Sequence, residues 1–211
     1  MLQYRAVYPE TLELLKILQK YKSLNRSFLV GGTALALHLG HRISVDLDLF
    51  FSHDFETDEI LQELREDLEF VVIMQKNSNS MIINARKRYS NNEYVKVDFV
   101  KYAYPLINEV VETEGVRLLS VEDILAMKLS AIANRGAKKD FFDIHELLKI
   151  YSLEQMLGFF SIKFPETEQF QILKSLTYFD DAEEEFDPIS LNNTNWEEVK
   201  SNIIDKVSSY L

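Results

Sequence analysis

Apolar residues recur at helical spacing over 9–22, where Leu12, Leu15, Leu18 and Tyr21 fall three apart with Leu14 and Ile17 beside them. That pattern predicts an amphipathic helix opened by Pro9. The period then shortens: SFLV at 27–30 reads as a strand, Gly31-Gly32 as a tight loop, and Thr33 to Leu39 as a short helix that Gly40 ends. SVDLDLFF is the next strand, and Thr57 to Leu68 a helix with Leu61, Leu64 and Leu68 inward. EFVVIMQ, SMIINARKRY and EYVKVDFVKY follow as strands parted by the Asn-rich turns NSNS and SNN. After EGVRLLS the spacing is helical. Ser120 and Asp123 resemble a capping box before Val121 to Asn134, Gly136 interrupts, and Lys139 to Ile150, Leu153 to Ile162, Glu166 to Phe179 and Trp196 to Tyr210 continue. The expected fold class is α+β (mixed α/β): a mixed sheet with flanking helices over 1–119, then a helical module over 120–211 packed on it. No internal repeat or Pro/Gly-rich linker parts the halves, and DDAEEEFDPISLNNTN at 180–195 is the one segment expected to be a mobile loop.

Composition narrows the classes. The 211 residues, 46% hydrophobic and 12% aromatic, suffice for one good core or two small ones. No run approaches the roughly 18 to 20 apolar residues of a membrane helix, and MLQYRAVYPETLELL lacks the basic start and apolar stretch of a signal peptide, so a cytoplasmic location is expected. The absence of cysteine excludes disulfides, thiolate zinc sites and cysteine nucleophiles. Any metal must sit on oxygen or imidazole. His38, His41, His53 and His145 lack the spacing of a metal cluster and read as structural.

The net charge of −11 argues against a protein that coats a nucleic-acid backbone. Its distribution is uneven. Residues 152–211 hold twelve acids against four lysines, whereas Arg86, Lys87, Arg88, Lys96 and Lys101 outnumber Glu93 and Asp98 over 81–101, and Lys138-Lys139 add a second basic point. A small basic mouth on an acidic body and ordinary solvated charge both fit. Tyr89, Tyr94, Tyr102 and Tyr104 lie near these basic residues and suit base stacking, although packing is the expected role of tyrosine in strands.

The candidate chemistry is carried by carboxylates. Asp46 and Asp48 alternate with Val45, Leu47 and Leu49, so on a strand both project from one face, a spacing suited to sharing a divalent cation. Asp98, in YVKVDFV, offers a third acid in the same apolar alternation. Three aspartates on neighbouring strands suit two Mg²⁺ ions. Gly31-Gly32, without β-carbons, lets backbone N–H groups approach a phosphate at the start of the helix near Thr33, whose hydroxyl adds a donor. In MKLSAIANRGAKKDFFDIHELL, Lys128 and Arg135 are seven apart and share a helix face, and Asp140 and Asp143 share another. Lys128 either meets a triphosphate or pairs with Asp140 or Asp143.

GGTALALHLGHRISVDLDLF, VKVDF and MKLSAIANRGAKKDFFDIHELL together resemble the nucleotidyltransferase-like toxins of the AbiEii/AbiGii and MenT type, in the DNA polymerase β nucleotidyltransferase superfamily. The resemblance spans roughly residues 28–150. It implies a phosphate loop at Gly31, Gly32 and Thr33, a metal pair at Asp46 and Asp48, and a third acid at Asp98. It further implies a catalytic lysine at Lys128 and a final acidic motif at Asp140, slightly preferred, or Asp143. Arg42, beside His41, stands at the family's HR position as a phosphate contact or as a partner holding the aspartates apart. Arg135 and Asp143 join the nucleotide-binding set. The implied activity is Mg²⁺-dependent transfer of a nucleotide from an NTP to an acceptor hydroxyl, in some members a tRNA 3′ end. Such proteins are toxins restrained by an antitoxin encoded nearby, in abortive infection or growth arrest. Transfer to a small molecule or protein hydroxyl, as in aminoglycoside adenylyltransferases, and a non-catalytic NTP-binding module are the alternatives.

Overall fold

The computed structural model describes residues 1–87 and 94–211, with the backbone alone at Lys87; the basic and stacking roles read for Arg88 and Tyr89 lie outside the described residues. The chain forms two compact units, one of Met1–His38, Ser44–Tyr104 and Val110–Leu119, the other of Leu39–Ile43, Pro105–Glu109 and Ser120–Leu211. No helix among the described residues is long and apolar enough to cross a membrane.

The first unit is built on a seven-stranded mixed sheet. In chain order its elements are α1 (Pro9–Leu18), β1 (Ser27–Val30), α2 (Gly31–Leu39), β2 (Leu47–Phe51), α3 (Thr57–Asp67) and β3 (Leu68–Lys76), then β4 (Ser80–Lys87), β5 (Val95–Lys101), β6 (Val111–Thr113) and β7 (Val116–Leu118). The strand order is β3-β4-β5-β2-β1-β7-β6. Two-residue alternation explains the layering. Leu47, Leu49 and Phe51, Met81, Ile83 and Ala85, and Val95, Val97 and Phe99 are buried, with Leu14, Leu15 and Leu18 of α1 and Ile60 and Leu64 of α3. The alternate positions, among them Asp48, Asn84, Lys96 and Asp98, lie on the other face. β2 runs parallel to β5 and antiparallel to β1, so the strand carrying Asp48 occupies the middle of the sheet.

The second unit is helical: α4 (Val121–Arg135), α5 (Lys138–Leu147), α6 (Leu153–Lys163), α7 (Gln169–Leu176), α8 (Asp180–Glu183) and α9 (Trp196–Tyr210). Ser120 caps α4 by accepting the Asp123 N–H, and Gly136, at φ 57°, ends it in the left-handed conformation. Trp196 packs between Phe141, Phe142 and Phe179. Lys163 and Asp123, both fully buried, pair at 2.6 Å, and Asp123 also accepts the backbone N–H of Ile107 and Asn108. Those bonds explain why 105–109 belongs with this unit.

The mixed α/β class is the one the pattern predicts. Three local expectations change. Gly31-Gly32 is not a loop: α2 begins at Gly31 itself, directly off β1. The helices expected over 139–150 and 166–179 are Lys138–Leu147 and Gln169–Leu176, because the flanking residues make tighter turn bonds instead, Lys149 N–H to the Glu146 carbonyl, Thr167 N–H to that of Phe164 and Tyr178 N–H to that of Ser175 among them. The 180–195 segment is not an untethered loop. It contains α8, Lys138 donates to the Glu185 carbonyl at 2.6 Å, and Ile43 and Leu191 exchange backbone bonds with Ile189 and His41.

Candidate active site

In the sheet unit, Asp48 and Asp98 stand directly opposite each other on the parallel strands β2 and β5. Opposed residues share a face, so the two carboxylates project together. Asp46 precedes β2 by one residue. The Thr33 hydroxyl, 1% exposed, bonds Ser44 Oγ at 2.9 Å and the Asp46 carbonyl. It fixes the approach to β2, so the hydroxyl read as a phosphate donor is already engaged within the fold. Gly31 has φ 69°, and a Cβ there would collide with the Asp48 carboxylate. Glycine is required twice over, by conformation and by space.

Lys96, which the sequence reading counts only among the basic residues of 81–101, joins this group. Its ammonium donates to Asp98 Oδ2 at 2.7 Å. Burial would lower its pKa, but that bond and the charges of Asp98, Asp46 and Asp48 raise it. The signal was present in VKVDF: a residue two before Asp98 on a strand shares its face. Among the described residues, Asp98 Oδ1 is buried without a hydrogen-bond partner. No three His, Asp or Glu side chains among the described residues are gathered into a ready metal centre. The chemistry of the donors suits a hard divalent cation nevertheless: the paired carboxylates of Asp48 and Asp98, the latter with a buried unsatisfied oxygen, are oxygen ligands on one face of the sheet.

In the helical unit a second group gathers around Asp143, which is fully buried. It accepts from Arg42 Nε at 2.7 Å and Nη2 at 2.9 Å, interacts with His41 Nε2 at 2.7 Å, and pairs with Lys128 at 2.6 Å. Burial by itself would raise the Asp143 carboxyl, but Arg42, Lys128 and the His41 bond hold it well below the ordinary range. Lys128 also binds Asp140 at 2.7 Å, and Arg135 reaches the other Asp140 oxygen at 2.9 Å. Of the two roles open to Lys128, pairing with the acids is the one observed, and with both of them. Arg42, 3% exposed, forks onto Asp143 rather than presenting a free guanidinium to a phosphate. Arg135 is different, with 58% of its side chain exposed. Lys138 is buried on Glu185 and Asp187, so the basic point read at 138–139 reduces to Lys139.

The structure thus brings Gly31, Thr33, Asp46, Asp48 and Asp98 together in one unit, and Arg42, Lys128, Arg135, Asp140 and Asp143 together in the other. Residues 13–209 match the family "Nucleotidyl transferase AbiEii toxin, Type IV TA system". The chain belongs to the AbiEii nucleotidyltransferase toxin family. The Aquifex aeolicus (strain VF5) protein aq_aa25 is 32% identical over 204 residues, 92% of this chain and 94% of that one. Two solved structures share the fold. MenT4, a nucleotidyltransferase toxin of Mycobacterium tuberculosis H37Rv, has TM-score 0.63 at 13% identity, covering 95% of this chain and 85% of that one. JHP933 from Helicobacter pylori has TM-score 0.58 at 20% identity, covering 96% and 92%. As an AbiEii member the chain is a nucleotidyltransferase of a toxin family.

Proposed function

We propose that this AbiEii protein transfers a nucleoside monophosphate from an NTP to the 3′ hydroxyl of a tRNA. We further propose that it acts as the toxin of a toxin–antitoxin pair in phage defence, restrained by an antitoxin encoded nearby. The observation that carries the chemistry is the opposition of Asp48 and Asp98 on β2 and β5, beside the glycine that opens α2.

Asp46, Asp48 and Asp98 would hold Mg²⁺, which when bound supplies charge neutralisation at the phosphates and lowers the pKa of an attacking hydroxyl. The chain's own residues do the rest. Gly31 and Gly32 put no side chain over the first turn of α2, whose backbone N–H groups and helix dipole would favour the triphosphate. Thr33, by holding the Asp46 carbonyl, positions Asp46 and, through the start of β2, Asp48. The acceptor oxygen bonds to the α-phosphorus, the bond to pyrophosphate breaks, and the hydroxyl proton leaves toward the carboxylates. In the helical unit, Lys128, Arg42 and Asp143 act as a neutralised scaffold that holds Asp140, and Asp140 orients Arg135. Arg135 is the member of that group with a guanidinium open to a phosphate.

The test is incubation of the protein with Mg²⁺, each α-³²P-labelled NTP in turn and total bacterial tRNA, beside a folded Asp48→Ala variant. Label on tRNA from the unmutated protein alone supports the reading and names the nucleotide. Label that persists with Asp48→Ala, or that moves to an aminoglycoside while tRNA stays unlabelled, overturns it.

A further inference from the structure

β5 and the residue just before it present three successive outward positions of different chemistry. Asp98 faces Asp48, Lys96 lies two residues before it, and Tyr94 two before that. Across the neighbouring strands the rows continue. Lys96 stands opposite Asn84 of β4, and Asn84 opposite Val72 of β3. One row further, Arg86 stands opposite Phe70. All of these alternate with the buried Ala85, Ile83, Val95 and Val97, so they share the face of the paired aspartates.

The row farthest from the aspartates is aromatic and cationic. The Arg86 guanidinium lies 4.1 Å from the Phe70 ring centroid and 5.2 Å from that of Tyr94, and the two rings meet edge to face at 6.4 Å. Phe70 is 39% exposed and Tyr94 49% exposed, so Tyr94 is not the packing residue expected of it. A buried aromatic pair would need no explanation. An exposed pair of rings around a guanidinium, which also lies 3.9 Å from Glu69, leaves aromatic surface open to solvent, and open aromatic surface binds unpaired bases through their π faces. Asp98 lies four residues on from Tyr94, about 13 Å of extended chain.

We propose that Phe70, Arg86 and Tyr94 form a stacking platform for unpaired bases at the 3′ end of an RNA acceptor. Lys96 then meets the intervening phosphate, and the terminal hydroxyl lies at Asp48 and Asp98. The order from Tyr94 into β5, aromatic ring, cation, carboxylate, follows the order base, phosphate, reacting hydroxyl along a single-stranded end. A duplex does not fit, because paired bases hide their faces. This inference rests on the reading that the acceptor is RNA, and it adds which residues select a single-stranded end.

The test uses the full chain and two fluorescein-labelled RNA hairpins with the same stem, one with an unpaired 3′ tail and one blunt. In anisotropy titrations the protein binds the tailed hairpin more tightly. Phe70→Ala and Tyr94→Ala each weaken that binding about five- to tenfold, leaving the blunt hairpin, NTP binding and thermal unfolding unchanged. Phe70→Trp retains the affinity, and its emission is quenched by the tailed RNA. Equal binding of tailed and blunt hairpins, or a Phe70→Ala/Tyr94→Ala protein that binds the tail like the unmutated one, overturns the platform and turns attention to a protein partner for this surface. A tail bound as described but never labelled leaves the platform standing and removes the acceptor assignment. Labelling with the same RNA KM in both proteins does the reverse.

Discussion

Gly31 shows how one missing atom shapes a site. At φ 69° it sits where an L-residue with a side chain is strained by about 1–3 kcal/mol, and the Asp48 carboxylate occupies the space a Cβ would take. Gly31→Ala should therefore cost about 2 kcal/mol or more in urea denaturation and abolish most nucleotide transfer by displacing Asp48. Full activity with unchanged stability would show that the carboxylate moves aside freely. Lys96 makes the opposite case, a charge that competes with the expected cation. Its ammonium neutralises part of a three-aspartate cluster, so Lys96→Met should tighten Mn²⁺ binding, read by titration calorimetry, by about tenfold once solvent screening of a half-exposed lysine is counted. Unchanged or weaker binding would place the metal away from Asp98.

At the scale of elements, α4 and α5 are joined by charge as well as by apolar packing. Asp143 is buried with Arg42, His41 and Lys128, and Lys128 also holds Asp140. Removing one partner from such a set leaves the others charged and under-satisfied, so Asp143→Asn should cost about 3–5 kcal/mol in chemical denaturation. Because the folded Asp143 titrates below its unfolded value, its contribution is fully present above about pH 5 and is lost as the pH falls through and below about 4. The variant should flatten the acid limb of a stability–pH profile, and an unchanged limb would refute the assignment. Much of this was legible in the sequence. The seven-residue step from Lys128 to Arg135, the three-residue step from Asp140 to Asp143, and the alternation around Asp48 and Asp98 fix faces by period alone. Which partners those faces meet was not legible. Arg42 reaches Asp143 across 101 positions of sequence, and Thr33 bonds Asp46 through a turn whose geometry no local pattern encodes. The exposed edge strand β3 was visible as EFVVIMQ, but its exposure was not, because a continuous apolar run reads equally as a buried strand.

At the scale of the whole molecule, the proposed RNA acceptor meets an acidic chain. A chain of net charge −11 repels a polyanion over most of its surface, so recognition must be confined to a short stretch where cations gather. On the proposed face that stretch is Lys96, beside an Arg86 guanidinium held among Phe70, Tyr94 and Glu69, and the two rings provide contacts that salt does not weaken. For single strands each neutralised phosphate contributes about −0.7 to the slope of log affinity against log salt, so the one contact through Lys96 predicts a slope of about −1. A protein wrapping the body of a tRNA through six or more phosphates would give about −4 or steeper. The corresponding expectation for substrates is that a hairpin reduced to an acceptor stem with its unpaired tail serves as well as intact tRNA in the labelling assay. A steep salt slope together with loss of transfer to the hairpin would mean that residues outside this face, despite the acidic balance of the chain, grip the rest of the RNA.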